Sequence, residues 1–311
     1  MIDGGKRRTL GDWVRWGAAC LEEAGVCCGH GMAEPLDEAA YLALYAVGLP
    51  PEVPQSVFDT VLTGAEAAAV ETLIVRRIRE RRPAAYLTGE AWFCGLRFRV
   101  DERVLVPRSP IAELIEAGFA PWLAAGHAVR RILDLGTGSG CIAIACAHAF
   151  PQAQVDAVDI SEAALAVCRD NIRLHGLEGR VRALRSDLFS TLDGERYDLI
   201  VSNPPYVAEA EMARLPREYR HEPALGLAAA DEGLEFALRI LREAADHLQP
   251  GGLLVVEVGA SQAALTRRLP TLPLVWLEFR RGGEGVFLIG EDALRARQRL
   301  LKGDKVPAKP L

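Results

Sequence analysis

The sequence predicts an α/β protein in which a small helical N-terminal domain and a β-hairpin linker precede a seven-stranded, Rossmann-like sheet. Two observations carry this prediction. From about residue 131 onward, short apolar segments alternate with helix-length amphipathic segments, which is typical of parallel strands joined by right-handed helical crossovers. Before residue 83, apolar residues recur instead at helical spacing.

The first 84 residues are predicted to form the helical domain. Leu10, Trp13 and Val14 begin one helical pattern, a second pattern runs through Leu42, and prolines at 50–54 interrupt the helices. The pattern resumes over 65–82 and is predicted to end at Pro83, because a proline ring clashes with a continuing helix.

The last of these helices carries five arginines, for which two interpretations remain open. They could form a basic contact patch, or they could belong to a solvated helix face. Glu71 and Glu80 are interleaved with them and favour the solvated face. The arginines are Arg76, Arg77, Arg79, Arg81 and Arg82.

Residues 85–108 are predicted to be a hairpin and an extended connector. Two short alternating segments, 91–93 and 97–100, flank Cys94-Gly95, and Val104–Pro107 follows as the connector. Residues 109–292 then form the sheet domain, and 293–311 a basic tail whose helix is frayed. The strands of the sheet domain are predicted at 132–135, 154–159, 181–185, 198–202, 253–258, 275–279 and 286–289.

The connections between these strands predict how they pair. Helices are predicted at 141–150, 162–175, 234–248 and 261–269, so the first five strands should be parallel. Only residues 280–285 separate the last two strands, which is too short for a helical crossover. The last two strands should therefore pair antiparallel.

Composition excludes several classes of protein. The 311 residues are 50% hydrophobic and carry a net charge of −6, which disfavours a protein that coats nucleic acid. The seven cysteines are scattered without zinc spacing, so neither a metal site nor a disulfide scaffold is indicated. No signal peptide or membrane span is recognisable, which predicts a cytoplasmic protein without a membrane partner.

The first predicted strand of the sheet domain runs into a glycine-rich turn and then a helix. Such a turn lets the backbone approach a ligand at the carboxyl edge of an open sheet. A P-loop Lys-Ser/Thr does not follow, and a carboxylate at Asp134 suits the ammonium of an amino acid group better than a phosphate. The candidate cofactor residues of this segment are Asp134, Gly136, Thr137, Gly138, Ser139 and Gly140.

Two further acidic residues follow strands of the same sheet. Asp159 ends the second strand about twenty residues after the turn, where a carboxylate can accept hydrogen bonds from both ribose hydroxyls of NAD or S-adenosylmethionine. Asp187 follows the third strand and is predicted near an adenine amino group. A helix cap or an ordinary loop carboxylate is an equally good interpretation of Asp187.

The fourth strand is followed by Asn203-Pro204-Pro205-Tyr206. Two prolines remove two backbone donors and leave carbonyls that only accept hydrogen bonds. The Asn203 side chain and the Pro204 carbonyl could hold the two protons of a planar NH₂ group, while Tyr206 offers an aromatic face. This order of motifs favours a catalytic site over a plain turn.

This pattern resembles that of S-adenosylmethionine-dependent enzymes that methylate nitrogens conjugated to a planar system, including adenine-N6 and protein-glutamine methyltransferases. The segments 86–90, 104–108 and 221–225, read as YLTGE, VLVPR and HEPAL, extend the resemblance to the HemK/PrmC protein-glutamine N-methyltransferase family. It covers the chain to about residue 290. It implies a class I methyltransferase sheet, S-adenosyl-L-methionine as cofactor and a substrate-recognition role for the N-terminal domain.

Within that family, three segments resemble the branch that methylates a glutamine of large-subunit ribosomal protein L-three. They are 91–95 (AWFCG), 106–111 (VPRSPI) and 218–223 (EYRHEP). The implied partner is that ribosomal protein, free or in an assembling large subunit. The alternatives are a release-factor glutamine methyltransferase, an adenine-N6 nucleic-acid methyltransferase, and a cofactor-binding module that has lost catalysis, against which the intact 203–206 motif argues.

The resemblance also assigns roles to residues. The glycine turn, Asp159, the neighbourhood of Asp187 and Asn203 are implied as cofactor residues. At Leu188, which belongs to that neighbourhood, the release-factor branch tends to have tryptophan. Asn203 through Tyr206 are implied to bind the glutamine. The long loop 207–231 could close over the substrate through Tyr219, His221 and Glu222, or it could be a surface excursion.

Overall fold

The computed structural model describes residues 8–32, 34–123 and 127–303. Helices and strands alternate through most of this length. The helices are α1 (Leu10–Glu23), α2 (Pro35–Ala46), α3 (Gly64–Glu80), α4 (Ala84–Thr88), α5 (Ile111–Glu116), α6 (Cys141–Ala149), α7 (Glu162–Leu174), α8 (Glu209–Met212), α9 (Ala230–Gly233), α10 (Glu235–His247), α11 (Gln262–Arg268) and α12 (Glu291–Lys302). The strands are β1 (Glu90–Phe93), β2 (Leu96–Arg99), β3 (Arg131–Leu135), β4 (Gln154–Asp159), β5 (Val181–Arg185), β6 (Tyr197–Ser202), β7 (Val207–Ala208), β8 (Ala228–Ala229), β9 (Leu248–Glu257), β10 (Val275–Trp276) and β11 (Val286–Gly290).

Seven strands form the main sheet in the order β10-β11-β9-β6-β3-β4-β5. The five strands β3, β4, β5, β6 and β9 pair in parallel, whereas β11 pairs antiparallel with both β9 and β10. The predicted seven-stranded α/β sheet is therefore confirmed, including the antiparallel last pair.

Two apolar layers cover the sheet. Alternate residues of β3 point to opposite faces, so that Ile132 belongs to one core cluster while Leu133 and Leu135 belong to the other. The β1–β2 hairpin adds Phe93 and Phe98 to the first cluster. The hairpin linker is thus part of the packed core of the sheet domain.

The N-terminal helices have their own apolar core and begin at well-formed caps. Thr9 with Asp12 at α1, and Thr63 with Glu66 at α3, form reciprocal capping boxes. Helix α3 ends at Glu80, two residues earlier than predicted, because Arg81 adopts a left-handed conformation with φ of 56°. From there its guanidinium donates to the carbonyls of Ala24 and Gly25.

Both interpretations of the α3 arginines were wrong for Arg77. It is fully buried, donates to Glu38 at 2.5 Å and to the Cys27 carbonyl at 2.8 Å, and joins α3 to α2. Arg76 does lie on an exposed face, where it pairs with Glu80. Helical spacing cannot separate the two arginines, because the partners of Arg77 lie about 40 and 50 residues away in the chain.

The C-terminal segment also differs from the prediction. Residues expected to be a frayed helix form α12, which packs on α10 and β9 and buries Leu294 and Leu301. The segment was predicted as a tail because it is rich in basic residues, but its apolar residues lie on one face of an amphipathic helix. Residues 304–311, the end of the predicted tail, lie outside the described residues.

No helix within the described ranges is both long and apolar enough to cross a membrane. In the same ranges, histidine, cysteine and acidic side chains do not gather in groups of three or more that could hold a metal ion.

Candidate active site

A cavity of about 540 Å³ lies at the carboxyl ends of the central parallel strands. This is the edge at which open α/β sheets bind ligands, and the volume is in the usual range for small-molecule sites. Four groups of residues line it: the turns after β3, β4 and β5 with the starts of α6 and α7; residues 203–207 after β6; the start of α10; and a wall from the connector and the 207–231 loop. That wall consists of residues 103–109, Leu215, Tyr219, Pro223, Leu225, Gly226 and Leu227.

The glycine turn forms one side of the cavity. Gly136 and Gly138 have φ values of 71° and 54°, which only glycine adopts without strain, and both line the cavity. A Cβ on Gly138 would meet no protein atom within 4 Å. Thr137 and Ser139 line the cavity beside them. The turn therefore leaves open space along its backbone, as close approach of a ligand requires.

Asp134 and Gly140 do not line the cavity, although both were predicted in the site. The buried Asp134 carboxylate accepts from the Thr137 hydroxyl at 2.6 Å and from the Ala143 backbone N–H at 3.1 Å, so it supports the turn and the start of α6. Burial raises its pKa to about 7. Gly140 is needed for packing, since a Cβ there would lie 2.7 Å from the Cys168 sulfur.

Asp159 lies where the sequence placed it, at the end of β4 and on the cavity wall. Its Oδ2 accepts from the Gly138 N–H at 2.9 Å and its Oδ1 from the Ser161 N–H at 2.8 Å. Burial raises its pKa, and these backbone hydrogen bonds oppose the rise. The carboxylate thus ties the glycine turn to β4 and retains lone pairs for further hydrogen bonds.

Asp187 and Leu188 follow β5 and also line the cavity. The Asp187 carboxylate pairs with Arg239 of α10 at 2.8 Å and is about half exposed. Leu188 is 8% exposed and has a left-handed backbone with φ of 50°. Together with Ile160, they make a partly apolar end of the cavity with a carboxylate at its rim.

Asn203, Pro204, Pro205 and Tyr206 line the middle of the cavity. They extend β6, which lies next to β3, so the motif adjoins the glycine turn; the Pro204 Cα is 4.0 Å from the position of a Cβ on Gly136. The structure thus brings Asn203, the two prolines and Tyr206 together beside the predicted cofactor region. Such a set can hold the protons of a planar amide.

The wall opposite the glycine turn depends on Glu222. This side chain is fully buried, and Arg108 donates to both of its oxygens at 2.5 and 2.6 Å. The Val106 N–H donates to it at 3.0 Å, and His30 lies 3.5 Å away. Burial alone would raise the Glu222 pKa, but His30 and Arg108 outweigh it and bring the pKa to about 2.

A second loop carboxylate joins the 207–231 loop to the helical domain. Glu218 is buried, accepts from the Cys27 N–H at 3.1 Å, and lies 3.3 Å from Arg81. Of the residues predicted to touch substrate, Tyr219 lines the cavity and its ring lies 4.4 Å from that of His30. His221 instead bonds the Glu80 carbonyl. The loop is therefore a docked cavity wall.

Two family models match the chain. The PrmC N-terminal domain model matches residues 12–89, which contain most of α1 and all of α2, α3 and α4. The methyltransferase small domain model matches residues 120–216, which contain the glycine turn and the 203–206 motif.

Curated relatives match over nearly the whole chain. The ribosomal protein uL3 glutamine methyltransferase of Xylella fastidiosa (strain 9a5c) is 50% identical over 96% of this chain and 94% of its own length. The chain belongs to the uL3 glutamine methyltransferase family. The relative of the same name from Xanthomonas campestris pv. campestris is 51% identical over 90% of this chain and 91% of its own length. Membership in this family confirms the predicted resemblance.

A solved structure supports the fold of this family member. The hMettl16 catalytic domain, crystallised in complex with a MAT2A 3′UTR hairpin, superposes with a TM-score of 0.52. It is 18% identical and the match covers 78% of this chain and 90% of that one. At this identity the similarity concerns the class I methyltransferase fold alone.

The sequence prediction for this methyltransferase missed one polar group that contacts Tyr206. Glu257, at the end of β9, is buried and accepts from the Tyr206 hydroxyl at 3.1 Å and from the Ser109 hydroxyl at 2.6 Å. Burial raises its pKa to about 7, against the effect of both hydroxyl groups. A glutamate at the end of the apolar run 253–258 was the only signal available in the sequence.

Proposed function

We propose that this protein transfers a methyl group from S-adenosyl-L-methionine to the side-chain amide nitrogen of a glutamine in uL3, the large-subunit ribosomal protein L-three. The observation that carries the proposal is the position of Asn203-Pro204-Pro205-Tyr206 in one cavity with the glycine turn. The names of relatives that match nine-tenths or more of the chain support the protein substrate.

The cofactor is S-adenosyl-L-methionine, which supplies an electrophilic methyl group on a sulfonium centre. The residues on the cavity wall fit its parts. Gly136 and Gly138 leave open backbone space for the chain that joins the sulfonium to the amino acid group. Asp159 offers acceptors for a ribose diol, and Leu188 with Asp187 offers an apolar surface and an acceptor for an adenine.

The chemical problem is the low nucleophilicity of an amide nitrogen, whose lone pair is delocalised into the carbonyl. The Asn203 side-chain oxygen and the Pro204 carbonyl would accept hydrogen bonds from the two amide protons. These acceptors favour charge build-up on nitrogen and stabilise the positive charge that develops there. The methyl–sulfur bond would break as the methyl–nitrogen bond forms, S-adenosylhomocysteine would leave, and the nitrogen would then lose one proton to solvent. The Tyr206 ring would hold the amide plane, so the reacting atoms are aligned before transfer.

The cavity must also admit a glutamine side chain that belongs to a protein. The wall made by the connector and the 207–231 loop is the surface that this side chain would contact. Leu105, Leu225 and Leu227 make this wall largely apolar, while Arg108 is held by Glu222. Such a wall suits the methylene groups of glutamine better than a phosphate backbone. We therefore propose a protein partner, free or in an assembling large subunit, a cytoplasmic location, and no sequence-specific contact with nucleic acid.

The test is methyl transfer to purified uL3, with release factor and an adenine-containing RNA as parallel substrates. The proposal expects one added methyl group on a single glutamine of uL3, found by peptide mass spectrometry, and no methylation of the other two. Preferential methylation of release factor or RNA would overturn the proposed substrate.

A further inference from the structure

Glu257 lies directly behind the 203–206 motif but does not line the cavity. It is the last residue of β9 and is 4% exposed. Its carboxyl group has two hydrogen-bond partners, one on each side of the site: Tyr206 at 3.1 Å and Ser109 at 2.6 Å. Burying a carboxyl group costs free energy unless its oxygens are hydrogen-bonded, and these two hydroxyl groups bond both oxygens of Glu257.

The Tyr206 ring is held from the same side by backbone. A Cβ on Gly259 would lie 2.6 Å from a Tyr206 ring carbon, so the ring packs directly on the glycine. Gly259 in turn leaves no space for a Cβ on Gly285, which would meet the Gly259 carbonyl at 2.1 Å. The ring face is thus fixed by the turn after β9, and the phenol oxygen by Glu257.

Ser109 directly follows the connector and lies on the same cavity wall. Its hydroxyl donates to Glu257 and accepts from the Ile111 N–H at 3.2 Å at the start of α5. The adjacent Arg108 is bound to Glu222 of the 207–231 loop. One carboxyl therefore joins the tyrosine that contacts the substrate amide to the connector that carries the cavity wall.

We propose that Glu257 is a positioning residue for methyl transfer, which fixes the Tyr206 ring and the Ser109 connector relative to each other. The inference rests on the proposed function, since it assumes that Tyr206 holds the substrate amide. Glu257 acts through Tyr206 and Ser109 and does not itself touch the substrate.

The electrostatics of Glu257 agree with this geometry. Burial raises its pKa to about 7, while hydrogen bonds from Ser109 and Tyr206 and the charge of Arg108 lower it. The titratable and charged groups that face it are Tyr206 and Arg108; its partner across the sheet on β11 is the apolar Val286. Removing either hydroxyl is therefore expected to raise the Glu257 pKa further.

The first experiment needs no substrate. The full chain is isotope-labelled at the side-chain carboxyl carbon of glutamate and titrated by NMR. We expect one glutamate signal with a midpoint near pH 7, which disappears in Glu257→Gln and moves to higher pH in Tyr206→Phe and in Ser109→Ala. An unchanged midpoint in both hydroxyl variants would show that Glu257 does not join the two walls.

The second experiment measures catalysis. Glu257→Leu removes both contacts, and we expect kcat on uL3 to fall about 100-fold, as misplacement of a reacting group does, with the cofactor Kd unchanged. Glu257→Gln can still accept from Tyr206 and donate to Ser109, so it is expected to restore most of the activity. A kcat within about twofold of wild type for Glu257→Leu would overturn the role.

Glu291 provides a matched control. It is also 4% exposed, and it follows the opposite end of β11, where it pairs with Arg295. Glu291→Leu is expected to lower stability and leave kcat unchanged. If kcat fell equally in both leucine variants, the role would be merely structural. If wild type failed to methylate uL3, the proposed function would fail, and the NMR titration would still decide whether Glu257 joins Tyr206 to Ser109.

Discussion

At the scale of single residues, Asn203 is the side chain on which the proposed chemistry depends most. Asn203→Ala removes one of the two acceptors for the amide protons. We expect kcat on uL3 to fall by about 10²–10³-fold, the usual cost of losing one preorganised hydrogen-bonding group at a reacting centre. Because Asn203 lies on the cavity surface, the unfolding midpoint should stay close to that of wild type.

Asn203→Asp serves as a companion to this variant, since the carboxylate keeps an acceptor oxygen of the same reach. It should retain more activity than Asn203→Ala. Turnover at the wild-type rate in purified Asn203→Ala would contradict the mechanism.

Asp159 tests the cofactor half of the site. Asp159→Ala removes the acceptors for a ribose diol and the hydrogen bond to Gly138. We expect at least about tenfold weaker binding of S-adenosylmethionine, since losing hydrogen bonds to a charged group costs about 1.5–3 kcal/mol. Calorimetry measures this directly. Asp187→Ala, at the exposed rim, should have the smaller effect, and equal affinities for wild type and Asp159→Ala would remove Asp159 from the cofactor site.

Some residues of the site were predictable from the sequence and others were not. Asp159 could be placed from its distance to the glycine turn, because both follow neighbouring strands. Asp134 and Gly140 belong to the same motif, yet they pack against the turn on the side away from the cavity. The motif alone does not show which of its residues point into the cavity. Glu257 was missed because its partners are 51 and 148 residues away.

At the scale of elements, the junction of α2 and α3 depends on one buried ion pair. Arg77→Met leaves Glu38 buried without its partner, which costs about 3–5 kcal/mol in such sites. The free energy of unfolding, measured with urea, should fall by that amount. Arg76→Met on the same helix is the control, because its exposed pair with Glu80 contributes well under about 1 kcal/mol. Equal losses in both variants would contradict the structural role of Arg77.

The 207–231 loop gives a pH-dependent prediction. The folded pKa of Glu222 is about 2, below its value of 4.5 in the unfolded chain, so its stabilising effect is complete above pH 4.5 and is lost as the pH falls through 2. Glu222→Gln should lower stability at neutral pH and flatten its dependence between pH 4.5 and 2. Denaturation curves at several pH values measure this. A variant with the same slope as wild type would contradict the assignment.

Element boundaries were predictable where the local sequence decides them. The strands β3, β4 and β5 agree closely with the prediction, because apolar periodicity determines them. The last two strands pair antiparallel as their short connection predicts, although β10 ends at Trp276, three residues earlier than expected. Helix α12 was predicted only as a frayed helix in a basic tail, because the surface of α10 that covers its apolar face is distant in the chain. The sequence did not decide whether the 207–231 loop packs on the protein, because the residues that its carboxylates contact are also distant in the chain.

At the scale of the whole molecule, the fold class and the cofactor edge follow from the order of strands and motifs in the sequence. How the helical domain meets the sheet domain does not, because that contact uses paired charges from three separated segments: Arg77 and Arg81, Arg108, and Glu218 and Glu222. Each charge alone reads as a surface residue. Only their pairing in space places Arg77, Glu218 and Glu222 inside the protein and leaves Arg81 and Arg108 half-buried beside them.

Methylation of a uL3 glutamine in this cavity can be measured by comparing wild-type protein with a variant of the 203–206 motif. Purified wild-type protein and Asn203→Ala are incubated with S-adenosylmethionine and uL3, and the uL3 peptides are examined by mass spectrometry. We expect one added methyl group on one glutamine side chain with wild type and almost none with the variant. Unmodified uL3 with the folded wild-type protein, or equal modification by both proteins, would contradict this expectation.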